Sequence, residues 1–456
     1  MRVIPVGAIV IVSLVVVGSA QDARVPPNQN APTFTRDVAP ILYSKCVQCH
    51  RPGEVAPMSL ITYKDVRPWA RAIREKVSTR TMPPWFADPA HGTFRNDRSL
   101  TQAQIDTIVK WVDADARQGD PAQLPPLPKF ADGWQIGTPD AVFEMPVDYK
   151  IPADGTVDYQ YFEVPTNFKE DRWISAGEVR AGNPEHVHHI IVSVIEPPGS
   201  GSRPSVMSVR AISDNPGADA PRPARPATEA QRAAFAAAAR RATAVSLVNW
   251  AVGEDPPAYP AGMAKRIPAG SILQFQVHYT TNGATATDRS KIGLIFTKQP
   301  PKNEMRTALI ANTGFAIPAG DANHQIEAEA TFNDNVKIWY MHPHMHLRGK
   351  DMTYTAIYPD GRQEVVLRVP KYDFGWQTDY ALAQPLSLPK GSKLHVTAHY
   401  DNSTANRFNP DPTTVVRWGD QTWEEMMIGY ITYTVDSAQL AISNAGAAKG
   451  TANDAH

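Results

Sequence analysis

Two cysteines in 456 residues are too few to build a disulfide scaffold. An excess of either charge is missing as well: 45 Lys and Arg stand against 46 Asp and Glu, for a net charge of −1. That balance lacks the basic footprint of a nucleic-acid binder, so no nucleic-acid partner is expected. Long apolar runs are also absent, with one exception at the start of the chain. There Arg2 precedes an almost wholly apolar stretch over residues 3 to 17, and Gly18-Ser19-Ala20 supplies the small residues that signal peptidase requires. The run falls short of the ~20 residues that span a bilayer, which favours a cleaved export signal over residues 1–20 rather than a retained anchor. The expected location is periplasmic or secreted, in a bacterium, with no membrane attachment after cleavage.

What the sequence does contain is turn-forming residues and histidine. The 41 prolines and 28 glycines suit β-rich architecture with many edges, and a hydrophobic fraction of 42% allows real cores. The length predicts two to four domains. Residues 33–120 read as helical. Val38, Ile41 and Leu42 share a face, Thr101 with Gln104 forms a capping-box signature, and Ile105, Ile108, Val109 and Val112 follow at helical spacing. A proline-rich linker is expected over 121–136. Short β runs then follow, including Tyr159 to Phe162, Val187 to Val194, Ile272 to Tyr279 and Met352 to Tyr358, with Pro359-Asp360-Gly361 as a hairpin turn. Gln299-Pro300-Pro301 marks a seam that divides these runs into β domains at 137–298 and 299–436. Within the first, 196–245 reads as an insertion, mobile over 196 to 225 and helical from Thr228 to Ala244. The tail, 437–456, is expected to be disordered.

Both cysteines fall in Cys46-Val47-Gln48-Cys49-His50, the C-x-x-C-H sequence to which c-type haem is attached. The two thiols can each form a thioether, and His50 is placed to ligate the iron. A thioredoxin-like pair would need a βαβ context and a zinc site more Cys or His nearby. One covalent haem c is therefore expected. Its sixth ligand would be Met82, in the segment Thr81-Met82-Pro83-Pro84-Trp85, which resembles a stretch of small bacterial cytochrome c domains. Met58 and His91 are the rivals.

Six of the 13 histidines lie in two short clusters, His186, His188, His189 and His342, His344, His346, while His278 stands within a β run. Alternate residues of a strand share a face, so His344 and His346 can grip one ion. The pairs His186 with His188 and His342 with His344 satisfy the same rule. With no cysteine to spare, imidazole and thioether ligands favour copper. Iron held by two histidines and a carboxylate, Glu424 or Glu425, is the chemical alternative.

Residues 137 to 436 resemble the copper type II, ascorbate-dependent monooxygenases, the family of peptidylglycine alpha-hydroxylating monooxygenase and dopamine beta-monooxygenase. The matching pieces occur in the family's order: Val187-His188-His189-Ile190, then Leu273 to Tyr279 around His278, then His344-Met345-His346-Leu347-Arg348-Gly349-Lys350. Lys371 to Gln377, Trp418-Gly419-Asp420 and Glu424-Glu425-Met426-Met427 complete the series. The resemblance implies two coppers. One, for electron transfer, would be held by His188, His189 and His278, and the other, which activates oxygen, by His344, His346 and Met426, with Met427 as the rival thioether. His186 and His342 become supporting residues.

The resemblance further implies two consecutive antiparallel β-sandwich domains of the jelly-roll kind, which together with the small all-α cytochrome c domain read from the haem motif give a multidomain fold. The activity it implies is hydroxylation of a C–H bond in a small organic substrate by O2; the fused cytochrome is expected to supply the electrons, drawn from a periplasmic donor, in place of ascorbate. The reading of another class is an electron-transfer or copper-binding protein without oxygenase activity. Two departures stand out. Animal members carry disulfides in these domains, whereas here both cysteines serve the haem motif. Peptide-amidating members have an arginine two residues before the H-x-H pair; here that residue is His342, and although Tyr430 keeps a matching tyrosine, peptide amidation is disfavoured.

Overall fold

Helix Gln102–Asp113 begins as its sequence demands: the Gln104 N–H donates to the Thr101 hydroxyl while the Thr101 N–H donates to the Gln104 side chain. Its apolar face, Ile105, Ile108 and Trp111, packs on Phe34, Val38 and Leu42 from the first helical turns and on Ile73 and Val77 from helix Ala70–Ser78. Each such buried side chain contributes about 1.5–3 kcal/mol, enough for this lobe to hold a core of its own. The computed structural model describes residues 31–437, apart from 55, 132, 201–204, 213–243 and 255. The export signal, all but the last residue of the expected Ala-rich helix, and the tail from residue 438 lie outside the described residues. Among those described, no helix is long and apolar enough to cross a membrane.

The remainder is mostly β, in several sheets whose pairings are antiparallel with one exception. Two sheets share the first large core. One runs Ala141–Glu144, Lys291–Phe296, Arg172–Arg180, Met263–Ile267, Asn303–Glu304, and the other Gln160–Pro165, Ile272–Tyr279, Val187–Ile195, Val245–Ala251. Two more share the second core. Their orders are Arg306–Ala311, Ile428–Val435, Val336–His344, Tyr380–Leu388 and Gln363–Val369, Gly349–Ile357, Lys393–Tyr400, His324–Phe332, Met207–Ile212. The hairpin expected at Pro359-Asp360-Gly361 joins Gly349–Ile357 to Gln363–Val369, with Gly361 at φ 87°, a conformation glycine adopts without penalty.

Three boundaries differ from the sequence reading. The seam lies later than residue 299, because Asn303–Glu304 still pairs, in parallel, with Met263 and Ala264 of the first unit. The stretch expected to be mobile contains strand Met207–Ile212, which crosses to the second unit and pairs with His324–Phe332. Its partner is distant in sequence, which local composition cannot reveal. Finally, residues 85–98 do not belong to the helical core. Trp85, Phe86, Ala87 and Phe94 pack into the second β core instead. Trp85 meets Tyr380 edge to face, with ring centroids 5.0 Å apart. Main-chain bonds fasten the segment there, from Asp88 N to Arg368 O, from Ala383 N to Thr93 O and from Arg95 N to Ala381 O. The expected linker packs too, with Arg51 over the Phe130 ring at 4.2 Å and Gln135 and Ile136 donating to Glu178.

Candidate metal centres

Consecutive residues of a regular strand point to opposite faces, so His188 and His189 could not both serve one ion in a flat strand. A β-bulge removes the obstacle. Between Val187, opposite Tyr279, and His189, opposite His278, the register of strands Val187–Ile195 and Ile272–Tyr279 shifts by a residue at His188. The three rings converge: His188 Nδ1 lies 3.0 Å from His189 Nδ1 and 3.3 Å from His278 Nδ1. Ligand nitrogens at about 2.0–2.1 Å from a tetrahedral ion would lie about 3.3 Å from one another, so the spacing fits a metal. Burial pushes His188 down to about 4 and His278 to about 3, the latter with help from the neighbouring imidazole, and it holds His189 well below the ordinary value. All three are neutral at pH 7 and so present lone pairs. His186 stands apart, its Nδ1 and Nε2 bonded to Asn183 and Asn282 at 3.0 and 2.9 Å.

His344 ends strand Val336–His344, and His346 follows in the turn, with ring centroids 5.3 Å apart. A buried carboxylate fixes this turn. Glu425 accepts the N–H of His346 at 2.8 Å, of Arg348 at 2.7 Å and of Met426 at 3.2 Å. The Arg348 side chain, 1% exposed, donates to Asn402 and to the Trp423 carbonyl. Gly349 is required here, since a Cβ would fall 2.6 Å from Met345 Cβ and 2.9 Å from the Tyr372 ring. Gln377 Oε1 meets His344 Nδ1 at 2.6 Å, and the Glu424 carbonyl meets His346 Nδ1 at 3.2 Å. These contacts orient both rings through Nδ1 and leave Nε2 for a ligand role. His346 Nε2 is buried and without a hydrogen-bond partner, the kind of orphaned atom a metal would satisfy. Burial pushes His344 down to about 4 and His346 well below its ordinary value.

Met426 is half-buried and lies two residues before Ile428, the residue paired with His344. Its carbonyl accepts from the Tyr400 hydroxyl at 2.9 Å. Met427 is fully buried among the apolar residues of the second core. The iron alternative loses support, because Glu425 is committed to three main-chain N–H groups and Glu424 accepts from Gln421 N at 3.0 Å.

One side chain that sequence reading left without a role meets both clusters. Phe374 stacks on His188 with centroids 5.1 Å apart and planes at 19°, and its ring lies 5.9 Å from His346. Tyr159 closes the far side of the first cluster, 4.9 Å from His278. Two acidic residues also went unforeseen. His342 Nδ1 lies 3.0 Å from Asp379, whose N–H donates to Glu254, and the three side chains could together hold an ion. Burial would lower His342, but Asp379 and Glu254 raise it above its usual value. Phe374 and Gln377 lie within the Lys371–Gln377 segment already singled out, so a signal for them existed; for Glu254 and Asp379 there was none.

In the helical lobe, the His50 ring meets the Met58 carbonyl through Nδ1 at 3.2 Å, and burial lowers its pKa. Cys46 is half-buried, and desolvation together with the neighbouring Cys49 pushes its thiol up to about 12. Met82 is half-buried after helix Ala70–Ser78, its N–H donating to the Lys76 carbonyl.

This β protein brings His188, His189 and His278 together in a group that could hold a metal ion. The particular class follows from comparison with known proteins: residues 307–450 match the model of the copper type II ascorbate-dependent monooxygenase, C-terminal domain. The enzyme is a copper-dependent monooxygenase. No curated protein matches the chain. Among solved structures, recombinant pro-11S globulin of pumpkin aligns at 7% identity over 66% of this chain and 86% of its own, with a TM-score of 0.12. A likeness that weak carries no argument.

Proposed function

We propose that the chain is an exported monooxygenase that uses copper and haem together, hydroxylating a C–H bond of a small organic substrate with O2. In this reading His188, His189 and His278 hold one copper, while His344, His346 and Met426 hold the other. Bound copper supplies one-electron redox chemistry and a site for O2. The reaction consumes the substrate, O2, two electrons and two protons, and gives the hydroxylated product and water. The observation that carries the reading is the buried His346 Nε2, which lacks any partner beside a second cluster of three converging imidazoles. The chain's own residues supply orientation through Gln377 and the Glu424 carbonyl, and the bulge at His188 aims two adjacent rings at one point. A thioether from Met426 would favour Cu(I), whereas three imidazoles tolerate both oxidation states.

The helical lobe is proposed to be a cytochrome c domain with one haem attached at Cys46 and Cys49. His50 fits the role of iron ligand, because the Met58 carbonyl takes Nδ1 and leaves Nε2 available. Met82 would supply the sixth ligand, with Met58 and His91 as the rivals. His342 is in keeping with peptide amidation being disfavoured: its Nδ1 is already engaged by Asp379 at 3.0 Å, which leaves it a poor anchor for a substrate carboxylate.

The test is metal and haem analysis of the intact protein, together with oxygen uptake driven by a reduced-haem donor. The parent should carry two coppers and one haem, and Met426→Ala should lose uptake. Unchanged uptake in that variant would overturn the ligand assignment.

A further inference from the structure

The haem motif is half-buried at Cys46, Cys49 and His50, and one side of it meets the β units. A Cβ placed on Gly253 would lie 3.8 Å from Cys49 Sγ, 3.5 Å from Trp376 Cζ3 and 3.4 Å from Arg98 Nη1, so these three side chains converge on one point of the main chain. Arg98 also donates to the Gly253 carbonyl, which fixes the end of the 85–98 segment against the first β unit. Gly253, at φ 85°, closely follows strand Val245–Ala251, the neighbour of the strand that carries His188 and His189.

Trp376 belongs to a tight turn. The Trp376 N–H donates to the Asp373 carbonyl at 2.9 Å, and the Gly375 N–H donates to the Asp373 carboxylate at 2.9 Å. The turn carries Phe374, stacked on His188, and Trp376, which approaches Gly253 as Cys49 does. Gln377, the next residue, holds His344. The main chain from Ala251, which pairs with His189, to Gly253 runs between the same two places. Electron tunnelling weakens exponentially with distance and is faster through packed atoms than across solvent, so the contact matters for rate.

We propose that Trp376 and Phe374 form the electron bridge into the histidine clusters, with Cys49 as the point of entry and His188 as the first imidazole reached. The proposal rests on the haem and copper reading above. The step it describes moves one electron and breaks no bond: haem iron goes from Fe(II) to Fe(III) while copper goes from Cu(II) to Cu(I). The two residues are positioning residues and take no part in the hydroxylation itself.

The experiment uses the full-length protein with haem attached and copper loaded, held without oxygen or substrate. The haem is reduced by a flash-generated donor, and two signals are followed: loss of the reduced-haem absorbance and loss of the Cu(II) EPR signal. Trp376→Ala should slow both by roughly tenfold or more, and Trp376→Phe should restore most of the rate. Copper in the Trp376→Ala protein should still be reduced by free ascorbate at the parent's rate, with the EPR line shape unchanged, so a misfolded site would be recognised. Transfer at the parent's rate in Trp376→Ala would overturn the bridge while leaving the haem and copper reading intact. A parent that binds no haem, or whose copper never accepts an electron from it, would overturn both.

Discussion

The two histidine clusters are built on different principles. The three-histidine cluster rests on strand pairing: His189 and His278 are cross-strand neighbours, and one bulge brings in His188. Its rings touch each other and the aromatic rings of Tyr159 and Phe374. The other cluster rests on a polar scaffold in which Glu425, Arg348, Asn402 and Gln377 hold the turn and the rings by hydrogen bonds. In the proposed reading the first site would only relay electrons, for which sheet geometry suffices; the second would meet O2 and substrate and would need its ligands held at fixed angles, a rigidity the buried network would supply.

The most forceful way to break the contrast is Glu425→Ala. It strands three buried N–H groups, and should destabilise the protein by at least about 3 kcal/mol in urea unfolding. Glu425→Gln keeps an acceptor and should cost less; equal losses for the two variants would refute the bracing role. Gln377→Ala should act more locally, weakening copper at His344 and His346 by about 10–100-fold in competition with a chelator. The three-histidine site should be unmoved, and a parallel loss there would show that the clusters are not independent.

The gentlest effect is that of pH on the metal-free protein. His188, His344 and His278 have folded-state pKa values depressed by burial, to about 4, 4 and 3. Below about 6.5 the unfolded chain takes up protons that the folded chain refuses, so the stability these groups permit is complete above that pH. It declines as the pH falls toward 4, and further toward 3 for His278. The urea midpoint should drop between pH 7 and pH 5, and less steeply in His188→Gln; identical slopes would rule out His188 as a contributor.

Much of this was legible beforehand because it is local. The capping box at Thr101 and the Gly361 hairpin each need only neighbouring residues. The alternation rule allowed His344 with His346, whose rings lie 5.3 Å apart, but by itself it argued against His188 with His189; only the resemblance to a known family selected that pair, and the bulge supplies the physical reason the two rings converge. Glu425 was weighed as an iron ligand, since a carboxylate beside a methionine gives no hint that main-chain groups claim it. Asp379 and Glu254 escaped notice because they reach His342 from separate segments. The 85–98 segment was assigned to the helical lobe on sequence order alone, whereas its aromatic residues complete a core more than 200 residues downstream.

Strand Met207–Ile212 has a practical corollary for anyone cutting this gene. A fragment starting at residue 299 would leave out the strand that covers the edge of His324–Phe332, together with Arg210, which pairs with Glu329 at 2.9 Å. The bared edge would offer its free amides to any neighbouring chain, and such fragments should clump on expression rather than fold.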